Sequence, residues 1–87
     1  MKHQKLLNKL KDILSAKRQA QLEKYSSLKK VLKSLRSEQK KLEDEIAADI
    51  DDETRHEITS KLKVISKQRK KGLKVFQELK KERDGKN

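Results

Sequence analysis

Apolar residues recur at steps of three and four along most of this chain, and this spacing predicts long helices. Such steps keep residues on one side of a helix, at 100° per residue. The first stripe contains Leu6, Leu10, Leu14, Tyr25, Leu28, Leu32, Leu35, Leu42, Ile46 and Ile50. The second contains Ile58, Leu62, Ile65, Phe76 and Leu79, with Arg69 and Gly72 in phase. With no proline among 87 residues, we expect an all-α fold.

The acidic segment DIDDET at residues 49–54 separates the two stripes and predicts a reversal of the chain. Thr54 followed by Glu57 matches a capping box, and Asp51 or Asp52 could cap the helix instead. We therefore expect one domain over residues 1–87. Its elements would be a first helix over about 2–49, a turn over about 50–53 and a second helix over about 54–84. The predicted fold is a long antiparallel helical hairpin, similar to a coiled coil.

Folding the chain back at residues 51–53 also predicts which residues meet across the hairpin. Gly72 would lie opposite Val31 and Leu32, where a missing side chain lets two helices approach closely. Arg69 would lie near Glu38, and we expect the two to form an ion pair within the seam. A guanidinium with a functional role is the alternative interpretation of Arg69.

The two predicted helices differ in length, so residues 3–18 would extend beyond the second helix. The first helix would span about 70 Å at 1.5 Å per residue. Because apolar residues make up 31% of the chain, a single copy cannot bury a large core. We expect a homodimer that forms a four-helix bundle and covers the overhang. Its predicted interface contains Leu6, Leu7, Leu10, Ile13, Leu14, Val31, Val64 and Val75. The alternative is a break at Ser15, with residues 2–14 folding back as a short third helix.

Charge is segregated along the sequence. Residues 43–57 contain eight acids and one cation, a net charge of −7, and we call this segment the acidic tip. The other residues contain 24 cations and six acids, a net charge of +18. Residues 61–77 alone carry seven cations and no acid. The hairpin would therefore join an acidic end to a basic stem.

Two rows of cations have matching spacing on the two predicted helices. Each row advances by four, three and four residues, which keeps its members within about 60° of one another on a helix. The rows are Lys29, Lys33, Arg36 and Lys40 on the first helix, and Lys63, Lys67, Lys70 and Lys74 on the second. In an antiparallel pair, these positions are rotated in the same sense from the seam. We therefore expect both rows to share one face of the hairpin.

A face of this kind predicts contacts with phosphate groups, because each neutralised phosphate releases a condensed counterion. Lysines hold phosphates as point charges and read few base edges, and exposed aromatic residues for base stacking are missing from the pattern. We expect binding of duplex DNA or structured RNA with little sequence readout. The alternative is a protein-interaction or structural adaptor module with a solvated lysine face. In that case a protein partner would dock on the N-terminal overhang or on the acidic tip.

Other function classes have weak support in the sequence. The chain contains no cysteine, which excludes disulfides and thiolate chemistry. Glu53 and His56 have the spacing of one ExxH metal motif, but His56 is rotated away from the seam where such ligands converge. We expect no enzymatic activity, no cofactor and no metal site. No segment approaches the roughly 20 apolar residues of a membrane span, and we expect a cytoplasmic protein.

Overall fold

The computed structural model describes residues 2–85, with side-chain burial from Gln4 onward, and confirms the all-α prediction for this part of the chain. Four helices follow one another, and no strand occurs among the described residues. They are α1 (Lys2–Leu14), α2 (Arg18–Glu23), α3 (Tyr25–Ala47) and α4 (Asp52–Asp84). Within residues 2–85, none of these helices is both long and apolar enough to cross a membrane.

The structure corrects the single helix predicted over residues 2–49, because the chain turns between α1 and α2. Lys17 is extended, with φ −67° and ψ 156°. The Ser15 hydroxyl donates to the Asp12 carbonyl at 3.2 Å, a local bond that competes with helix continuation. Buried Gln21 donates from Nε2 to the carbonyls of Ile13 at 3.1 Å and Leu14 at 3.3 Å. The glutamine thus caps the end of α1 at the Leu14 carbonyl and adds a second hydrogen bond to the Ile13 carbonyl, which also accepts from the Ala16 amide at 3.2 Å.

Helix α1 consequently folds back onto α3 and α4, which is the alternative arrangement with a break at Ser15. Leu10 is fully buried and Ile13 is nearly so, and both belong to the core cluster of the single chain. The long axis of the molecule is 53 Å rather than the 70 Å of an unbroken first helix. Because α1 is covered within one chain, its leucines no longer require a second copy.

Helices α2 and α3 meet at Lys24 with little interruption. The Lys24 amide donates to the Ala20 carbonyl at 3.1 Å, and its carbonyl accepts from the Leu28 amide at 2.8 Å. Arg18 on α2 pairs with Glu78 at 3.0 Å and with Glu82 at 3.8 Å. These exposed ion pairs tie α2 to α4, although each contributes little to stability in water.

Helices α3 and α4 pack antiparallel, because residues later in α3 contact residues earlier in α4. The Tyr25 ring stacks on Phe76 with a centroid distance of 4.7 Å, and Gln39 accepts a hydrogen bond from Arg69 at 3.3 Å. Between these pairs, Leu32 lies against Gly72 as the sequence predicts. The buried core comprises Leu10, Ile13, Leu28, Val31, Leu32, Leu35, Leu42, Ile58, Ile65 and Leu79.

Helix α4 begins at Asp52, two residues before the predicted start, and Asp51 is its N-cap. The Asp51 carboxylate accepts a hydrogen bond from the Thr54 amide at 3.0 Å. Hydrogen bonds from the Thr54 side chain and backbone hold the pKa of Asp51 below its ordinary value. Of the caps considered for this helix, Asp51 is therefore the one used, and the Thr54–Glu57 capping box is not.

Candidate nucleic-acid interface

All eight cations of the two predicted rows are exposed. They lie on the central parts of α3 and α4, and these two helices pack along each other. Among residues 4–85, none of the eight has a carboxylate oxygen within 4.0 Å of its charged nitrogens. Their charge is therefore not offset by direct ion pairs.

Three lysines of the α4 row line an open depression between α3 and α4, which we call the lysine depression. Its lining residues are Gln39, Glu43, Thr59, Leu62, Lys63, Ser66, Lys67 and Lys70. Glu43 is the single acid among them and belongs to the acidic tip. Here the basic stem borders the acidic end of the molecule.

Three cations of the α3 row line a second depression, which we call the arginine pocket. Its lining residues are Lys29, Leu32, Lys33, Arg36, Arg69, Leu73 and Phe76. Four of these seven residues are cations and none is an acid. Leu32, Leu73 and Phe76 supply an apolar floor, and all three are buried or partly buried.

The helical positions that line the two depressions follow one another along α3 and α4, which places both depressions on the same side of the contact between the two helices. Their linings share one face of each helix, because the residues concerned follow steps of three and four. On α3 these residues are Leu32, Arg36, Gln39 and Glu43, and on α4 they are Leu62, Ser66, Arg69, Leu73 and Phe76. We call the combined surface the basic groove. Lys40 and Lys74, the remaining members of the rows, are exposed and line neither depression.

Helix α1 lies on the other side of α3. Lys9 and Asp12 of α1 line a depression with Lys30 and Val31 of α3, and α1 also borders Ser34 and Glu38. None of these residues lines the basic groove. The groove is therefore left open by the fold-back of α1.

Arg69 departs from its predicted pairing. Its Nη1 donates to Gln39 Oε1 at 3.3 Å, whereas Glu38 lines a depression with Lys5 and Lys9 on the α1 side. Arg69 Nε is buried and has no hydrogen-bond partner among the described residues. The sequence placed this guanidinium in the seam and left a functional role as the alternative, but Arg69 was not among the cations predicted to bind phosphate. The available signal was the spacing of four, three and four residues that puts Leu62, Ser66, Arg69 and Leu73 on one face of α4.

The residues of the predicted dimer interface have mixed environments. Leu10, Ile13 and Val31 are buried within one chain, while Leu6, Leu7, Leu14 and Val75 are partly buried against the core. Val64 is 51% exposed and is the one large apolar side chain with such exposure between Gln4 and Gly85. An extended apolar surface for a second chain is therefore not found on the described part of the molecule.

No group of three His, Cys, Asp or Glu residues within the described chain could hold a metal ion, and both Glu53 and His56 are exposed. The acids of the acidic tip are likewise exposed. Comparisons with protein-family models, with curated proteins and with solved structures gave no significant match to this chain. The basic groove is thus the feature from which a function can be inferred.

Proposed function

We propose that this protein binds duplex DNA or structured RNA through phosphate contacts along the basic groove, with little sequence readout. The observation that supports the proposal is that exposed cations line two depressions between α3 and α4: Lys29, Lys33 and Arg36 line one, and Lys63, Lys67 and Lys70 line the other. The six cations face a single acid, Glu43. Their mutual repulsion is relieved when phosphates bind and counterions are released.

The chemistry of the groove favours backbone contacts over base recognition. Lysine presents a compact charge without the planar fork that reads a guanine edge. The two aromatic side chains of the molecule, Tyr25 and Phe76, stack on each other, and Arg83 lies over the Tyr25 ring at 4.2 Å. These rings are already packed, so they offer no platform for a row of unpaired bases.

A salt titration of binding to a DNA duplex and to an RNA hairpin tests the proposal. With about six phosphate contacts, the plot of log K against log salt has an expected slope of about −5. The triple variant K33E/K67E/K70E reverses three charges within the basic groove. This variant should bind much more weakly, and its log K should depend much less steeply on log salt.

The matched control is K9E/K30E/K71E, which changes the net charge by the same amount outside the groove. Lys9 and Lys30 line the α1 side, and Lys71 is exposed on α4 away from both depressions. The control should retain substantially more affinity than the groove variant. Equal losses in the two variants would mean that overall charge, and not the groove, determines binding. Absence of binding at low salt would remove the proposal.

A protein-interaction or adaptor role is the second candidate. Its support is the exposed acidic tip, with a net charge of −7 over residues 43–57, together with the half-exposed side chain of Val64. A partner would need a basic surface with a small apolar contact. If neither nucleic acid binds at low salt, this role becomes the favoured hypothesis.

Homodimerisation stays a prediction, and it has lost its main support. Leu10 and Ile13, which were expected to require a second chain, are buried against α3 and α4. Analytical ultracentrifugation of the 10.2 kDa chain distinguishes the two states. A monomer at micromolar concentration would contradict the homodimer prediction.

A further inference from the structure

Two guanidinium groups and two lysines line the arginine pocket. Arg36 and Arg69 approach it from α3 and α4, and Lys29 and Lys33 complete its basic rim. No acid belongs to its lining. The local formal charge of +4 is therefore concentrated over an apolar floor, where like charges repel more strongly than on an open surface.

Arg69 is only partly exposed, and no carboxylate offsets its charge among the described residues. Buried or partly buried charges are normally paired, because desolvation without a partner is costly. The amide oxygen of Gln39 holds one end of the guanidinium at 3.3 Å but carries no negative charge. An anion bound beside Arg69 and Arg36 would supply the missing charge.

We propose that the arginine pocket binds a phosphate monoester, such as the terminal phosphate of a nucleic-acid strand. A monoester carries about −1.5 to −2 charge at pH 7, whereas an internal diester phosphate carries −1. Four cations around one depression suit the more highly charged group. The exposed planar fork of Arg36 can donate two parallel hydrogen bonds to phosphate oxygens, and Arg69, whose Nη1 is held by Gln39, adds a second guanidinium charge beside it. The nucleic-acid source of this phosphate rests on the proposed function, while binding of the phosphate group itself does not.

A purely structural role for Arg69 makes a different prediction. In that case the Gln39–Arg69 hydrogen bond fixes the register of α3 against α4, as polar seam residues do in coiled coils. Replacement of Arg69 would then change stability without any preference for phosphorylated ends. The two roles are separated by comparing ligands that differ only in a terminal phosphate.

The experiment measures binding of one duplex with and without a 5′-phosphate at fixed salt. The wild-type protein should bind the phosphorylated duplex about tenfold more tightly, the size of one added charge-assisted contact. Arg69→Met should abolish this preference. Lys40→Met removes the same charge from a row residue outside both depressions and should keep the preference. Should Arg69→Met fail to fold by circular dichroism, Arg36→Met takes its place.

The outcomes distinguish this inference from the proposed function. Equal affinity of the wild-type protein for both duplexes overturns the monoester site and leaves groove binding intact. If neither duplex binds, the proposed function fails, and a titration with inorganic phosphate followed by NMR decides the site separately. Phosphate-induced shifts of both guanidinium signals in the wild-type protein, with the shift of the remaining arginine lost in the Met variant, support the site, and unchanged wild-type signals overturn it.

Discussion

Leu10 packs directly against Gly72, where an added β-carbon would lie 2.9 Å from Leu10 Cδ1 and 2.8 Å from Leu32 Cδ2. Both leucines are buried, so neither can move aside freely. Overpacking of this kind costs about 1–3 kcal/mol, whereas replacing a helical glycine by alanine gains about 1 kcal/mol. We expect Gly72→Ala to destabilise the fold by about 1 kcal/mol in urea denaturation.

Exposed Lys71, one residue earlier on α4, provides the control for this prediction. At position 71 the alanine variant should be more stable than the glycine variant by about 1 kcal/mol, because the two variants differ there only in helix propensity. If alanine also stabilises position 72, the close contact of α1 with α4 is not present in solution.

Leu10→Ala tests the fold-back of α1 directly. Leu10 has no exposed surface, and removing a fully buried leucine side chain costs about 2–5 kcal/mol. Val64→Ala is the comparison, because Val64 is half exposed and should lose less than about 0.5 kcal/mol. Denaturation midpoints of the two variants provide the measurement. Similar midpoints would indicate that α1 does not pack as the structure shows.

The apolar stripe predicted which residues are buried but not what buries them. Leu6, Leu10 and Leu14 have the same phase in one long helix as in a helix that folds back, because periodicity reports a face and not a partner. The break between Ser15 and Lys17 depends on Gln21, whose capping bonds form only after the chain has turned. Ser15 marked the place of a break in the sequence, but a cap from a residue beyond the break leaves no local signal that decides between a continuous helix and a fold-back.

For the basic groove, likewise, the sequence predicted the local features but not the contacts that depend on tertiary packing. The four-three-four spacing of the two cation rows follows from helix geometry and was readable in the sequence. The partner of Arg69 could not be read from the sequence. Gln39 and Glu38 are adjacent in sequence but lie about 100° apart around α3, so the sequence does not show which of the two faces Arg69. A small difference in the register of α3 against α4 decides between them. Register in turn depends on packing, including the Leu10–Gly72 contact, which sequence alone did not reveal.

Gln21→Glu should weaken the turn between α1 and α2. The substitution keeps the shape of the side chain but replaces the donating amide with a carboxylate that faces the carbonyls of Ile13 and Leu14. A buried, unpaired charge of this kind should cost about 2–3 kcal/mol at pH 7. Gln19→Glu makes the same charge change at an exposed position and should be nearly neutral. Equal thermal stability of both variants would contradict the capping role.

The N-cap of α4 predicts a dependence of stability on pH. Because the Thr54 hydrogen bonds lower the pKa of Asp51 in the folded state, the folded state favours the ionised carboxylate. The resulting stabilisation is present above the ordinary value of 3.8 and is lost as the pH falls below it through the lower folded value. Asp51→Asn retains an acceptor for the Thr54 amide but does not titrate.

Melting temperatures measured from pH 6 to pH 2 check this expectation. The difference between wild type and Asp51→Asn should shrink as the pH falls, because the wild-type advantage disappears on protonation. A difference that stays constant over this range would show that the Asp51 charge adds nothing to the cap.

The basic groove predicts that α3 and α4 both contribute to phosphate binding. Lys29→Gln/Lys33→Gln and Lys67→Gln/Lys70→Gln each remove two charges, from one side of the groove or from the other. Each double variant should reduce the steepness of the salt slope by about 1.8, or 0.9 per lost contact. Lys30→Gln/Lys41→Gln removes two exposed charges of α3 that line neither depression and should change the slope much less. A strand that lies in the groove must contact both walls, so both double variants should change the slope. If one of them leaves the slope unchanged, the phosphates contact only the other helix.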